Sequence, residues 1–205
     1  MTNRIYLASR SPRRRELLRQ IGVRFELLVF RSGERGEDAD VDETPYPGEA
    51  VERYVERLAL VKAEAGFRRL RWRHLPNLPV LAADTTLELN GQIIGKPTSP
   101  DDACAILERL SDREHRVLTA IAMSDGERTR SVLSISQVRF RKLEANEIRT
   151  YVASGEPMDK AGAYGIQGRA AVFIEEIHGS YTGIMGLPLF ETAQLLETFG
   201  YPVLK

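Results

Sequence analysis

Two Asx-Gly pairs, Asn90-Gly91 and Asp125-Gly126, each stand between runs of strand-forming residues. Such pairs accept the left-handed backbone of a tight turn, so each marks a hairpin. "VLAADTTLEL" before the first pair and "QIIGKP" after it predict one hairpin, and "RVLTAIAMSDGERTRSVLSISQVRFRKL" predicts a second, longer one. Antiparallel pairing is thereby built into a chain that otherwise interleaves strands with helices. A purely parallel sheet does not fit; the fold class expected is α/β, a mixed sheet flanked by helices, in two lobes around a cleft.

The remaining elements follow from periodicity and punctuation. "IYLAS" at 5–9 predicts a buried strand, and Ser11-Pro12 predicts a helix start, a hydroxyl to cap free amides and then a proline at the first helical position. That helix runs to about Ile21, before Gly22. A strand is predicted at Phe25–Phe30, followed by a long acidic loop over 31–49. Apolar residues at helical spacing, from Val51 and Tyr54 through Leu58 to Ala65, predict a helix from Glu49 to about Leu70, with Lys62 at the edge of its apolar face. Arg68–Pro79 reads as a basic connector. Ser99-Pro100 repeats the cap and proline of the first helix, for a helix to Leu110. A helix over 144–153, a glycine-rich stretch, a strand over 171–177, the loop 178–188 and a helix over 187–199 complete the chain.

The 205 residues fit one domain spanning 1–205 with a sizeable core. Lys and Arg total 29 and Asp and Glu total 29, a balance that argues against a nucleic-acid binder, which is usually basic overall. No window is long and apolar enough to span a bilayer or serve as a signal-peptide core. The single cysteine, Cys104, permits no internal disulfide and fits a small core residue. A cytoplasmic protein is expected.

Against that neutral background, "LASRSPRRRELL" at 7–18 packs four arginines into six positions. Arg13 and Arg14 fall in the first helical turn, where cations oppose the helix dipole. An anion held by those arginines and by first-turn amides would offset that cost, whereas the alternative is a solvated basic turn. Asp84 lies inside an apolar strand, where a carboxylate needs a partner, a metal or a task. The acidic loop offers Asp42 and Glu43, and a later one Glu156 and Asp159, as hard oxygen ligands. Lys62, Lys96 and Lys160 offer point charges. "GQIIGKP" is not a Walker loop, because its glycine spacing is one residue short and Pro97 replaces the required Ser or Thr. Three histidines without zinc spacing, and no serine elbow, leave acids and cations as the chemistry.

These motifs in order, "LASRSPRRRELL", Asp42-Glu43, "YVERLALVKA" from Tyr54, "AADT" at 82–85, "GKP" at 95–97, "DKAGAYGIQG" from Asp159 and "GSYTGIMGLP" from Gly179, resemble the Maf family of nucleoside triphosphate pyrophosphatases over nearly the whole chain. The resemblance implies an inosine triphosphate pyrophosphatase-like fold and hydrolysis between the α- and β-phosphates with a divalent cation, Mg2+ or Mn2+. By position, Asp84 matches the family's proposed proton acceptor, and Arg13, Thr85 and Gln167 match the positions that separate substrate subgroups. The Arg, Thr, Gln combination is that of the dTTP/UTP subgroup; the 7-methyl-GTP subgroup carries a tryptophan at the first. Gln167 offers a donor and an acceptor, which suits the O4 and N3–H edge of uracil or thymine.

On this reading Ser11, Arg13, Arg14, Lys62, Lys96 and Lys160 hold phosphates. Glu43, Asp84 and Asp159 are metal ligands, and Asp84 or Glu43 is the base. Modified pyrimidine nucleotides, a house-cleaning role and a homodimer are further expectations. Arg10, where many relatives carry a small residue, and Asp112, in place of a common glycine, depart from the family pattern. A second reading is a nucleotide-sensing regulator of septum formation that binds without turnover.

Overall fold

The computed structural model describes residues 4–29 and 41–204. Strand β1 (Arg4–Ala8) leads through Ser9–Ser11 into helix α1 (Pro12–Gln20), with Pro12 in its first turn and the Ser11 hydroxyl accepting from the Arg14 amide. Gly22 adopts φ 73° just past the helix, a left-handed residue that lets the chain reverse. Strand β2 (Arg24–Leu27) then pairs parallel with β1. It ends before Phe30, which lies outside the described residues, as does most of the acidic loop.

Helix α2 (Val51–Trp72) runs past the boundary expected at Leu70. The segment 68–72 is basic but holds no breaker before His74 and Pro76, and charge alone does not stop a helix of Arg, Leu and Trp. The connector is therefore only 73–79, and Trp72 sits on the exposed last turn. Strands β3 (Val80–Leu89) and β4 (Gln92–Ile94) form the first hairpin, with Asn90 and Gly91 at φ 53° and 78°. Helix α3 (Pro100–Leu110) starts on a Ser99 cap, whose hydroxyl accepts from the Asp102 amide. Strands β5 (Glu114–Ser124) and β6 (Thr129–Phe140) form the second hairpin, and α4 (Ala145–Ala153) begins on a reciprocal capping box between Glu144 and Glu147.

Past α4 the expected strand starts later than its sequence implies: 169–173 winds into a 3-10 turn and β7 is Ile174–His178. The expected loop after it contains a short helix, α5 (Tyr181–Ile184), before α6 (Leu189–Thr198).

The sheet order is β2-β1-β3-β5-β6-β7, with β4 also on β3. Only β2-β1-β3 is parallel; every other pairing is antiparallel. The sheet is mixed, as the two hairpins require. One face of its β1 end packs on α2 through Val55, Leu58 and Ala59, and the other on α1 and α6 through Leu17, Leu18 and Leu196. A separate apolar cluster fills the opposite end around Phe140, with α3, α4 and the partly buried Cys104.

In that second cluster His115 lies between Phe140 and Tyr164, its Nε2 2.8 Å from the Tyr164 hydroxyl. Burial holds the imidazole neutral, with its pKa pushed down to about 4. The unfolded chain titrates near 6.5 and so binds more protons between those values. This contribution is complete above pH 6.5 and is lost as pH falls toward 4, about 3 kcal/mol in all. Urea midpoints measured across that range are expected to fall more steeply for the wild type than for His115→Gln.

Candidate active site

Strand β3 changes partner along its length. Tyr6, Leu7 and Ala8 of β1 pair with Val80, Leu81 and Ala82, and β4 pairs with Leu87, Glu88 and Leu89. Between them Ala83–Thr86 has no strand on that edge among the described residues. A gap beyond the carboxyl end of β1, under the start of α1, is where open α/β sheets gather ligands. Here it is a cleft of about 970 Å³.

All eleven predicted site residues line it: Ser11, Arg13, Arg14, Glu43, Lys62, Asp84, Thr85, Lys96, Asp159, Lys160 and Gln167. The pleat splits Asp84 from Thr85. Asp84 faces α2, where Lys62 Nζ donates to its Oδ1 at 2.7 Å and pairs with Glu43 Oε1 at 2.5 Å. Lys62 therefore sits on the apolar face's edge to bridge two acids. The Glu43 side chain is 56% exposed and that of Asp84 only 11%, so the first is an outer and the second an inner carboxylate.

Helix α2 also fastens the backbone that carries Glu43. The Tyr54 hydroxyl donates to the Glu43 carbonyl at 3.0 Å, and burial, then the Asp84 and Glu43 charges, push this phenol up to about 12. Arg57 grips Glu49 through two nitrogens and donates to the Thr44 carbonyl.

Thr85 faces the other way, toward α1. Arg14 donates from Nε to the Gly186 carbonyl at 2.8 Å and from its two terminal nitrogens to Ser9 Oγ and Thr85 Oγ1. Burial lowers the pKa of this guanidinium, with Asp84 opposing; an arginine stays charged nonetheless. Three of its five N–H groups are thus committed to the protein, so Arg14 ties α1, β3 and the 183–186 turn together, and two donors remain for a ligand. Arg13 makes no hydrogen bond to the described residues and is the less encumbered of the pair.

On the far wall Lys160 Nζ donates to the Glu156 carbonyl at 2.6 Å and to the Asp159 carboxylate. Partial burial acts to raise the Asp159 pKa, but Lys160 and then Arg13 outweigh it and the group is lowered. Lys96 and Gln167 are exposed and make no hydrogen bond or ion pair among the described residues.

Glu156 proves to be a fastening rather than an open ligand. It accepts from the Tyr151 hydroxyl at 3.1 Å and from the Arg169 amide at 3.2 Å, and a Cβ on Gly168 would meet its Oε1 at 1.9 Å. The segment that carries Gln167 is pinned through that carboxylate. Tyr54, Glu156 in this role and Thr119, which contacts Thr85 at 3.0 Å, were not legible as site residues. Each acts through a neighbour distant in sequence, and the only signal is a polar group in an apolar pattern.

The donor set also bears on a cation. Glu43 and Asp84 place two hard oxygen donors around one positive charge, that of Lys62, and so fit a magnesium- or manganese-like ion shared with phosphate oxygens. Asp159 does not complete a triad: its carboxylate is on Lys160, and among the described residues no three potential ligands come together. Nor is any helix among them long and apolar enough to cross a membrane.

Comparison with known proteins matches the chain almost from end to end. The family profile described as Maf-like protein matches residues 4–199. A protein of Aromatoleum aromaticum named dTTP/UTP pyrophosphatase is 80% identical over 200 residues, covering 98% of this chain and 97% of its own. Proteins with the same name from Dechloromonas aromatica and Nitrosomonas europaea are 59% and 55% identical, each over at least 97% of both chains. With both the profile and these relatives matching almost from end to end, the chain belongs to the Maf family.

Proposed function

We propose that this chain hydrolyses the α–β phosphoanhydride bond of dTTP and UTP, releasing the nucleoside monophosphate and pyrophosphate. The observation that carries the reading is one cleft in which an inner carboxylate, Asp84, faces cations from both walls and relatives up to 80% identical bear that activity in their name.

A triphosphate brings about four negative charges, and a single cation does not offset them. Arg13, Lys96 and Lys160, with the remaining Arg14 donors, bind its oxygens, and the Arg13 amide in the first turn of α1 adds a backbone donor. Ser11 caps the helix and keeps those amides aimed at the cleft. Glu43 and Asp84 would hold a divalent cation, and such an ion would supply charge neutralisation for the phosphates and for the leaving pyrophosphate.

Asp84 orients a water and takes its proton during in-line attack on the α-phosphorus. Its Oδ1 is held by Lys62, and its Oδ2 has no hydrogen bond among the described residues, so one oxygen fixes the carboxylate while the other serves the water. A rigid strand paired in register with β5 carries Asp84, which favours it over the more exposed Glu43 as base. Gln167, pinned through Glu156, donates to O4 of the pyrimidine edge.

The test is kcat/KM for dTTP, UTP, CTP, dATP and 7-methyl-GTP, each with Mg2+ and with Mn2+. A preference for dTTP and UTP is expected; a preference for either purine contradicts the reading.

A further inference from the structure

Thr85, Thr119 and Ser134 stand directly opposite one another on β3, β5 and β6. They form a rung of three hydroxyls across a face otherwise packed with Leu81, Ala83, Ile121 and Met123. Thr119 is fully buried and is not part of the cleft wall. A buried hydroxyl is retained where its hydrogen bonds are made, and here the bonds fix their own direction.

The Gly183 carbonyl can only accept, so Thr119 Oγ1 donates to it, at 2.8 Å. A hydroxyl has one proton. Toward Thr85, 3.0 Å away, Thr119 is therefore an acceptor, and Thr85 must be the donor. Arg14, which can only donate, occupies one lone pair of Thr85 at 3.1 Å. The single polar capacity left on Thr85, a residue of the cleft wall, is its second lone pair.

We propose that Thr119 is a positioning residue for substrate selection: by taking the only proton of Thr85, it makes Thr85 an acceptor and nothing else toward a nucleotide base. The proposal deepens, and rests on, the reading of the cleft as a dTTP/UTP site. Uracil and thymine carry a donor at ring N3, and cytosine carries an acceptor there. An acceptor-only Thr85 matches the first and opposes the second. Without the Thr119 oxygen, the Thr85 proton is free to turn into the cleft and meet the cytosine N3.

The test compares kcat/KM for UTP and CTP in wild type, Thr119→Val and Thr119→Ser. Thr119→Val keeps the side-chain shape without the hydroxyl and is expected to narrow the UTP preference about tenfold, the scale of one hydrogen bond. Thr119→Ser restores it. A Thr119→Val enzyme with the wild-type ratio, even at reduced overall turnover, overturns the proposal, because a purely structural role lowers both substrates together. Wild-type enzyme with 3-methyluridine triphosphate, which lacks the N3 proton, gives a second readout needing no variant. At least a tenfold loss relative to UTP is expected, and equal turnover overturns the proposal if Thr119→Val does not fold. Wild type without any UTP preference over CTP contradicts the dTTP/UTP reading itself and is seen before either variant is made.

Discussion

Asp84→Asn is expected to lower kcat by about 10²–10⁴-fold, the usual worth of a general base, while nucleotide affinity stays measurable by calorimetry. The amide preserves the shape of the side chain and an oxygen for Lys62, so the fold and the phosphate contacts are retained. What disappears is the group that accepts the proton of water. Equivalent turnover in Asp84→Asn would transfer the base role to Glu43, 2.5 Å from the same lysine, and Glu43→Gln would then show the large loss.

Lys62→Met carries the second large effect. The ammonium lies between Asp84 and Glu43, and its own side chain is only 14% exposed. Its removal leaves two carboxylates facing each other without a counter-charge, and truncating one partner of a buried charge pair costs on the order of 2–5 kcal/mol. We expect kcat/KM to fall by about 10²-fold or more, with a lower melting temperature. Removing one of the two charges removes the repulsion, so adding Glu43→Gln to Lys62→Met is expected to recover part of the lost melting temperature; no recovery would show that Lys62 does not bridge the two acids in solution.

Much of the fold was legible because local chemistry and tertiary structure agree. Ser11-Pro12 and Ser99-Pro100 start helices where their cap and proline place them, and Asn90-Gly91 turns the hairpin its left-handed residues allow. Legibility fails where context overrides composition. The basic run at 68–72 stays helical because nothing in it breaks a helix, and Ala171–Phe173 winds into a turn before β7 despite its strand-like residues.

The site follows the same division. Asp84 announces itself as a carboxylate in an apolar strand, and the arginines as cations at a helix start. Thr119 announces nothing: one threonine in "RVLTAIAM" is an ordinary strand residue until β3 brings Thr85 opposite it. The sequence likewise offers Arg14 as a candidate phosphate ligand, but only the fold shows three of its donors spent on Ser9, Thr85 and Gly186.

The bond that is broken defines the reaction. Purified protein incubated with dTTP and Mg2+ in 18O-labelled water, with products resolved by 31P NMR and mass spectrometry, is predicted to give dTMP and pyrophosphate with the label on dTMP, as attack at the α-phosphorus requires. Release of orthophosphate with dTDP would contradict the mechanism, and nucleotide binding with no product would instead identify a sensor that does not turn its ligand over.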